Sequence, residues 1–177
     1  MTKRVLFVLS EWGFWGEELI GPLEVLNAAG HKVEFATPTG KRPRALPPSM
    51  DPKYIDPPLG KTVTSEEMAA KVRAIDAPDD KRLESPINLA APDWFPQRPY
   101  WSEGEAIEYQ GENGGFQKIT SPLRKWEAYY RLREKAQRTT TDQYDALLLV
   151  GGSGPMIDMV NNYRVHDLIL GFKERDK

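Results

Sequence analysis

The 177-residue sequence contains no cysteine. This excludes a disulfide scaffold, a cysteine-type zinc site and a thiol nucleophile drawn from the chain's own residues. Histidine is almost as scarce: His31 and His166 are the only two. They are far apart in sequence, which argues against a zinc site, and no metal is expected. An excess of one charge is also lacking. The 24 basic and 26 acidic side chains leave a net charge of −2, which argues against a broad phosphate-binding surface and hence a nucleic-acid partner. Long apolar runs are missing too. Val5–Leu9 follows Lys3-Arg4, yet a signal peptide needs an apolar stretch of about 7–15 residues and a membrane span about 20. A cytoplasmic protein with no membrane partner is expected. Finally, Gly13-Phe14-Trp15-Gly16 stands where a dinucleotide site would carry G-x-G-x-x-G, and no P-loop occurs. No cofactor is expected.

What is present is a core-forming composition, 40% hydrophobic, in a length that suits one domain over residues 1–177. Val5–Leu9 has the apolar character of a strand buried on both faces. Ser10–Gly16 then predicts a loop. Leu19, Ile20, Leu23 and Leu26 predict a helix over 17–29, with Glu17 and Glu18 in its first turn. Pro22 is expected to kink that helix or to mark its true first turn. Gly30 suits the position after the helix, and Val33–Ala36 reads as a second strand. The unit is β-α-β, so its strands are parallel.

The character then changes. Twelve of the fifteen prolines fall between Pro38 and Pro99. The segment 41–141 is expected to be an insertion packed on the sheet as a cap. Trp94, Tyr100, Trp101, Tyr109 and Trp126 argue against a disordered linker. Within it, helices are predicted over 65–75, with Ser65 as N-cap and Met68, Val72 and Ile75 inward, and over 122–138, with Leu123, Trp126, Tyr130 and Leu132 inward. Ala146–Val150 predicts another buried strand. Gly151-Gly152-Ser153-Gly154 and the helix-starting Pro155 follow. A last helix is predicted over 163–173, with Val165, Leu168, Ile169 and Phe172 on one face.

In an open parallel sheet, ligands bind beyond the carboxyl ends of the strands. Both strand-to-helix turns, 12–18 and 151–154, belong on that edge. The glycine turn offers backbone N–H groups to an anion or a developing oxyanion, or is simply a tight turn requiring positive φ. Glu18 or Glu17 is a candidate proton carrier or a solvated first-turn carboxylate; neighbours on a helix do not share a face, so at most one points into a site. Glu11 is a surface candidate. Trp12 and Trp15 line a substrate pocket or pack as core aromatics. Ser153 lacks the G-x-S-x-G frame of a nucleophile elbow.

Three stretches together resemble the ThiJ/PfpI superfamily, the class I glutamine-amidotransferase-like group. They are Lys3–Leu9, Gly16–Leu26 followed by Ala29–Gly40, and Tyr144–Gly154. The resemblance implies a flavodoxin-like α/β fold, a parallel sheet sandwiched by helices. It implies that Glu18 is the glutamate that hydrogen-bonds a catalytic thiol and that Gly151 and Gly152 shape an oxyanion pocket. Ser153 stands where the family often has histidine. The insertion is similar to that of the larger, capped branch, with glyoxalase, chaperone and peptidase or amidase members. In the family the nucleophilic cysteine follows a further strand, and this sequence stops at Lys177, before it. The expectation is an N-terminal part whose cysteine lies on a further C-terminal segment or a second polypeptide. The completed protein would be a hydrolase, an amidase or a glyoxalase-type lyase acting on a small carbonyl or amide substrate. The alternatives are a chaperone-like holdase or a small-molecule-binding flavodoxin-like module. A homo-oligomer is a further possible partner state.

Overall fold

The computed structural model describes residues 1–99, 105–110, 116–121 and 123–177. Tyr100, Trp101 and Pro122, on which the sequence reading drew, lie outside them. The central sheet has four strands: β1 (Arg4–Val8), β2 (Lys32–Thr37), β5 (Ile87–Asn88) and β8 (Ala146–Leu149). Their order is β5-β2-β1-β8, and every pairing is parallel. β1 is flanked on both sides, which explains its uninterrupted apolar sequence. Successive side chains alternate between the sheet's faces. Val5, Phe7 and Leu9 join one apolar cluster, and Leu6 and Val8 the other.

The first cluster is closed by α1 (Gly16–Ala28) and α2 (Glu66–Asp76). α1 contributes Leu19, Ile20 and Leu23; α2 contributes Val72 and Ile75. α1 runs through Pro22 rather than starting there. A proline has no N–H, so the carbonyl of Glu18 loses its ordinary helical donor. Gly30 ends this unit with φ +73°, the left-handed conformation expected after a helix. Ser65 caps α2 as predicted, its hydroxyl accepting from the Met68 N–H at 3.1 Å.

The second cluster lies beneath α5 (Tyr163–Lys173) and α3 (Leu123–Thr139). Val165, Leu168 and Phe172 of α5 enter it, with Ala136 of α3 and with Leu89, Trp94 and Phe95 from the proline-rich segment. Residues 41–141 therefore furnish a helix to each face and the edge strand β5, so they are built into both layers. Two small antiparallel ribbons complete the described parts, β3 (Ile55–Asp56) with β4 (Lys61–Thr62), and β6 (Glu105–Gln110) with β7 (Phe116–Ser121). The fold is the α/β, flavodoxin-like arrangement expected. Among the described residues no helix is long and apolar enough to cross a membrane.

α3 departs from its predicted orientation. Tyr130 and Leu132, expected inward, are exposed, and Tyr129, Ala136 and Gln137 are buried instead. The helix is turned so that polar side chains meet α5.

Candidate functional site

The turn after β1, the start of α1 and the turn after β8 meet at the carboxyl edge of the two adjacent strands. Three hydrogen bonds join them. Trp15 N–H donates to the Gly151 carbonyl at 2.8 Å. Gly154 N–H donates to the Gly13 carbonyl at 3.1 Å. Gly151 N–H donates to Glu18 Oε2 at 2.8 Å. The peptides on either side of Gly151 are thus held by the first turn of α1.

Three glycines are required by this contact, Gly151, Gly152 and Gly154, the last because its Cβ would sit 2.2 Å from the Gly13 carbonyl oxygen. A Cβ on Gly151 would sit 2.2 Å from Glu18 Oε2, and one on Gly152 would sit 2.8 Å from the Trp15 nitrogen. Gly152 also has φ +125°, which a side chain would strain. Both readings of the glycine turn are therefore present in one loop. It is a tight turn that needs glycine, and it still presents free donors. Gly151 is not one of them, because its N–H is engaged by Glu18. Among the described residues the N–H groups of Gly152 and Ser153 have no acceptor. The open donor pair is therefore Gly152 with Ser153, one residue beyond the Gly151–Gly152 pair expected.

Of the two first-turn glutamates, Glu18 reaches the turn. Its carboxylate is exposed and keeps Oε1 free of hydrogen bonds. Trp12 is 66% exposed and Trp15 half-buried, on the same loop. Ser153 is exposed on the turn. Glu11, the other carboxylate considered, is committed to structure. It accepts from Thr39 N–H at 2.5 Å and from the Thr39 hydroxyl at 2.7 Å, tying the β1 and β2 loops together.

One residue was not found from sequence. Asp158, in the short helix α4 (Pro155–Asp158), accepts the Glu11 N–H through Oδ2 at 2.8 Å. Its Oδ1 is buried without a partner among the described residues. The two residues are 147 apart in sequence, and no local pattern connects them. An aspartate closing a short helix carries no periodicity to mark it.

The histidines take structural positions. His31 precedes β2, at the opposite edge of the sheet, where its Nδ1 accepts the Lys3 N–H at 3.3 Å. His166 Nε2 contacts the Val160 carbonyl at 2.7 Å. Because a carbonyl only accepts, Nε2 carries the proton. No group of metal-binding side chains occurs among the described residues.

Beside the turn, on the open side of β8, is an apolar cavity of about 370 Å³. Leu149, Val150, Gly151, Met159, Val165 and Ile169 line it. Glu18 and the tryptophans do not. A second hollow continues along the same strand beneath Leu147, Leu149, Ile169 and Phe172. Among the described residues β8 is paired with β1 alone, and it carries Leu149, 41% exposed.

The family model described as ThiJ/PfpI family-like matches residues 9–176. The chain belongs to this family. No curated protein matches. Among solved structures, one crystallographically determined protein is similar to this ThiJ/PfpI family-like chain at 20% identity with a TM-score of 0.51. The match covers 99% of this chain and 53% of that one, so the chain spans about half the length of that protein. At this identity the likeness speaks for the fold alone.

Proposed function

We propose that this chain supplies the acid–base group and the oxyanion donors of a cysteine-dependent hydrolase or glyoxalase-type lyase. The nucleophilic thiol comes from a further polypeptide segment seated on the free edge of β8. The observation that carries this reading is Glu18 Oε2 bonded to Gly151 at the carboxyl edge of the sheet, next to an unpaired strand edge. The substrate is a small carbonyl or amide compound.

The chemistry follows from the geometry. An incoming thiol gives its proton to Glu18, whose second carboxylate oxygen is open. The sulfur bonds to the carbonyl carbon, and the C=O π pair moves onto oxygen. The resulting oxyanion is met by the Gly152 and Ser153 N–H groups, which the turn holds in place before reaction. Gly151 keeps Glu18 directed at the turn. The apolar edge of β8 supports the seat of the second segment, because a parallel strand edge with exposed leucine is an unfinished surface.

The test is purification of the native protein with intact-mass analysis, followed by turnover of small dicarbonyl and amide substrates. A cysteine-bearing segment should be found with the chain, and alkylating its thiol should abolish turnover. Glu18→Gln in that complete protein should lower turnover by about 10²–10⁴-fold with the fold unchanged. A folded, active monomer of these 177 residues alone would overturn the proposal. Suppression of client aggregation that survives alkylation would instead favour the chaperone-like alternative.

A further inference from the structure

α3 and α5 meet through a row of polar side chains rather than an apolar seam. On α3 the row is Tyr129, Arg133 and Gln137, each four residues from the last and so on one face. On α5 and just after it the row is Asp167, Gly171 and Glu174. Tyr129 donates its hydroxyl proton to Asp167 Oδ2. Arg133 spans two acids, with Nε 3.4 Å from Asp167 Oδ1 and Nη2 3.5 Å from Glu174 Oε1. Gln137 Nε2 donates to Glu174 Oε2 at 3.0 Å. Gly171 makes room, since a Cβ there would sit 2.9 Å from Gln137 Nε2.

Asp167 is the centre of this row and is only 2% exposed. A third element reaches it. Arg98, from the proline-rich segment, places Nη2 2.5 Å from Asp167 Oδ1 and Nε 3.2 Å from the Tyr129 hydroxyl. One buried carboxylate therefore joins three parts of the chain. Among the described side chains of α3, Ala136 enters the core cluster, Tyr129 is buried against the half-buried Trp126, and Tyr130 and Leu132 face outward.

Such a contact has a definite mechanical character. Apolar burial is non-directional and yields gradually. A buried carboxylate shared by two guanidinium groups and a hydroxyl holds while every partner is in place, and removing one leaves an uncompensated buried charge. We propose that α3 is a separately releasable helix, locked onto α5 by Asp167, and that it leaves as a unit while the sheet and the α1–α2 layer stay folded. The fold thus contains a local opening of lower cost than global unfolding. The opening acts on α5, whose other residues line the hollows beside β8.

Peptide-resolved hydrogen exchange at neutral pH tests this on the whole protein. In the wild type, amides of 123–139 should exchange faster than those of 4–8 and 16–28. Asp167→Asn keeps the shape and removes the charge, and should speed exchange of 123–139 by at least about tenfold. The peptides 4–8 and 16–28 should not change. Uniform acceleration across the protein, or no acceleration in α3, would overturn the proposal. If Asp167→Asn does not fold, Tyr129→Phe and Gln137→Ala remove single rungs. Each should accelerate α3 alone by a smaller factor, and identical protection of α3 in both would equally overturn it.

Discussion

At the scale of single residues, the site depends on how closely a carboxylate and a backbone can approach. Glu18 reaches the Gly151 N–H only because residue 151 has no side chain. Gly151→Ala places a methyl group where the Glu18 carboxylate sits; that exposed side chain swings aside, and the variant should lose the Glu18–Gly151 hydrogen bond at a cost of about 0.5–1.5 kcal/mol. Urea unfolding checks this, and a variant as stable as wild type would contradict the close approach. The same pair shows what sequence reading can and cannot reach. Glu18 and the glycine turn were legible because their types and positions after two apolar strands carry meaning. That Glu18 occupies the Gly151 N–H, leaving Gly152 and Ser153 as open donors, was not legible. It depends on a hydrogen bond spanning 133 residues. Asp158 was hidden for the same reason, since its partner is the backbone of Glu11 across the sheet edge.

At the scale of elements, β1, α1, β2, α2, β8 and α5 follow directly from their apolar spacing. α3 does not, because its inward face is polar. Tyr129, Arg133 and Gln137 give no hydrophobic stripe, and the exposed Tyr130 and Leu132 suggest a false one. Packing of a different kind occurs where β8 begins. Tyr144 lies against Trp94, with Arg4 over its ring at 4.9 Å. Burial, reinforced by the nearby Glu34 carboxylate, pushes its hydroxyl from the ordinary 10.0 up to about 12. The folded state therefore favours the neutral phenol more than the unfolded chain does. Its contribution is fully present below about pH 10 and is lost as pH rises toward 12. Tyr129, raised to about 12 chiefly by burial, acts in the same direction. The urea midpoint should fall across that window, and Tyr144→Phe should flatten part of the fall. An equal decline in both proteins would refute the assignment to Tyr144.

At the scale of the whole molecule, the two outer strands of the sheet formed by the described residues differ in character. β5 ends one side as a two-residue strand, a short edge that offers little to pair with. β8 ends the other with an apolar edge, beside hollows lined by Leu147, Leu149 and Ile169. Chains meeting at this edge should self-associate when no other segment covers it. Leu149→Lys places a charge on that edge and should lower the self-associated fraction in analytical ultracentrifugation, with little change in thermal stability because Leu149 is 41% exposed. Unchanged association would move the sticky surface elsewhere, with the exposed Met156, Ile157 and Val160 of the neighbouring region as the next candidates.

The strand order has one more consequence, and it concerns synthesis. β1 is made first and ends in the middle of the sheet, between β2 and β8. β2 leaves the ribosome soon after β1, but Val5 must wait for Ala146 to complete its other side. At about 5–20 residues per second the wait lasts on the order of ten seconds. Throughout it one side of β1, an interior strand of the folded sheet, is an open edge of the nascent one, which exposes its apolar run to mispairing while the chain is being made.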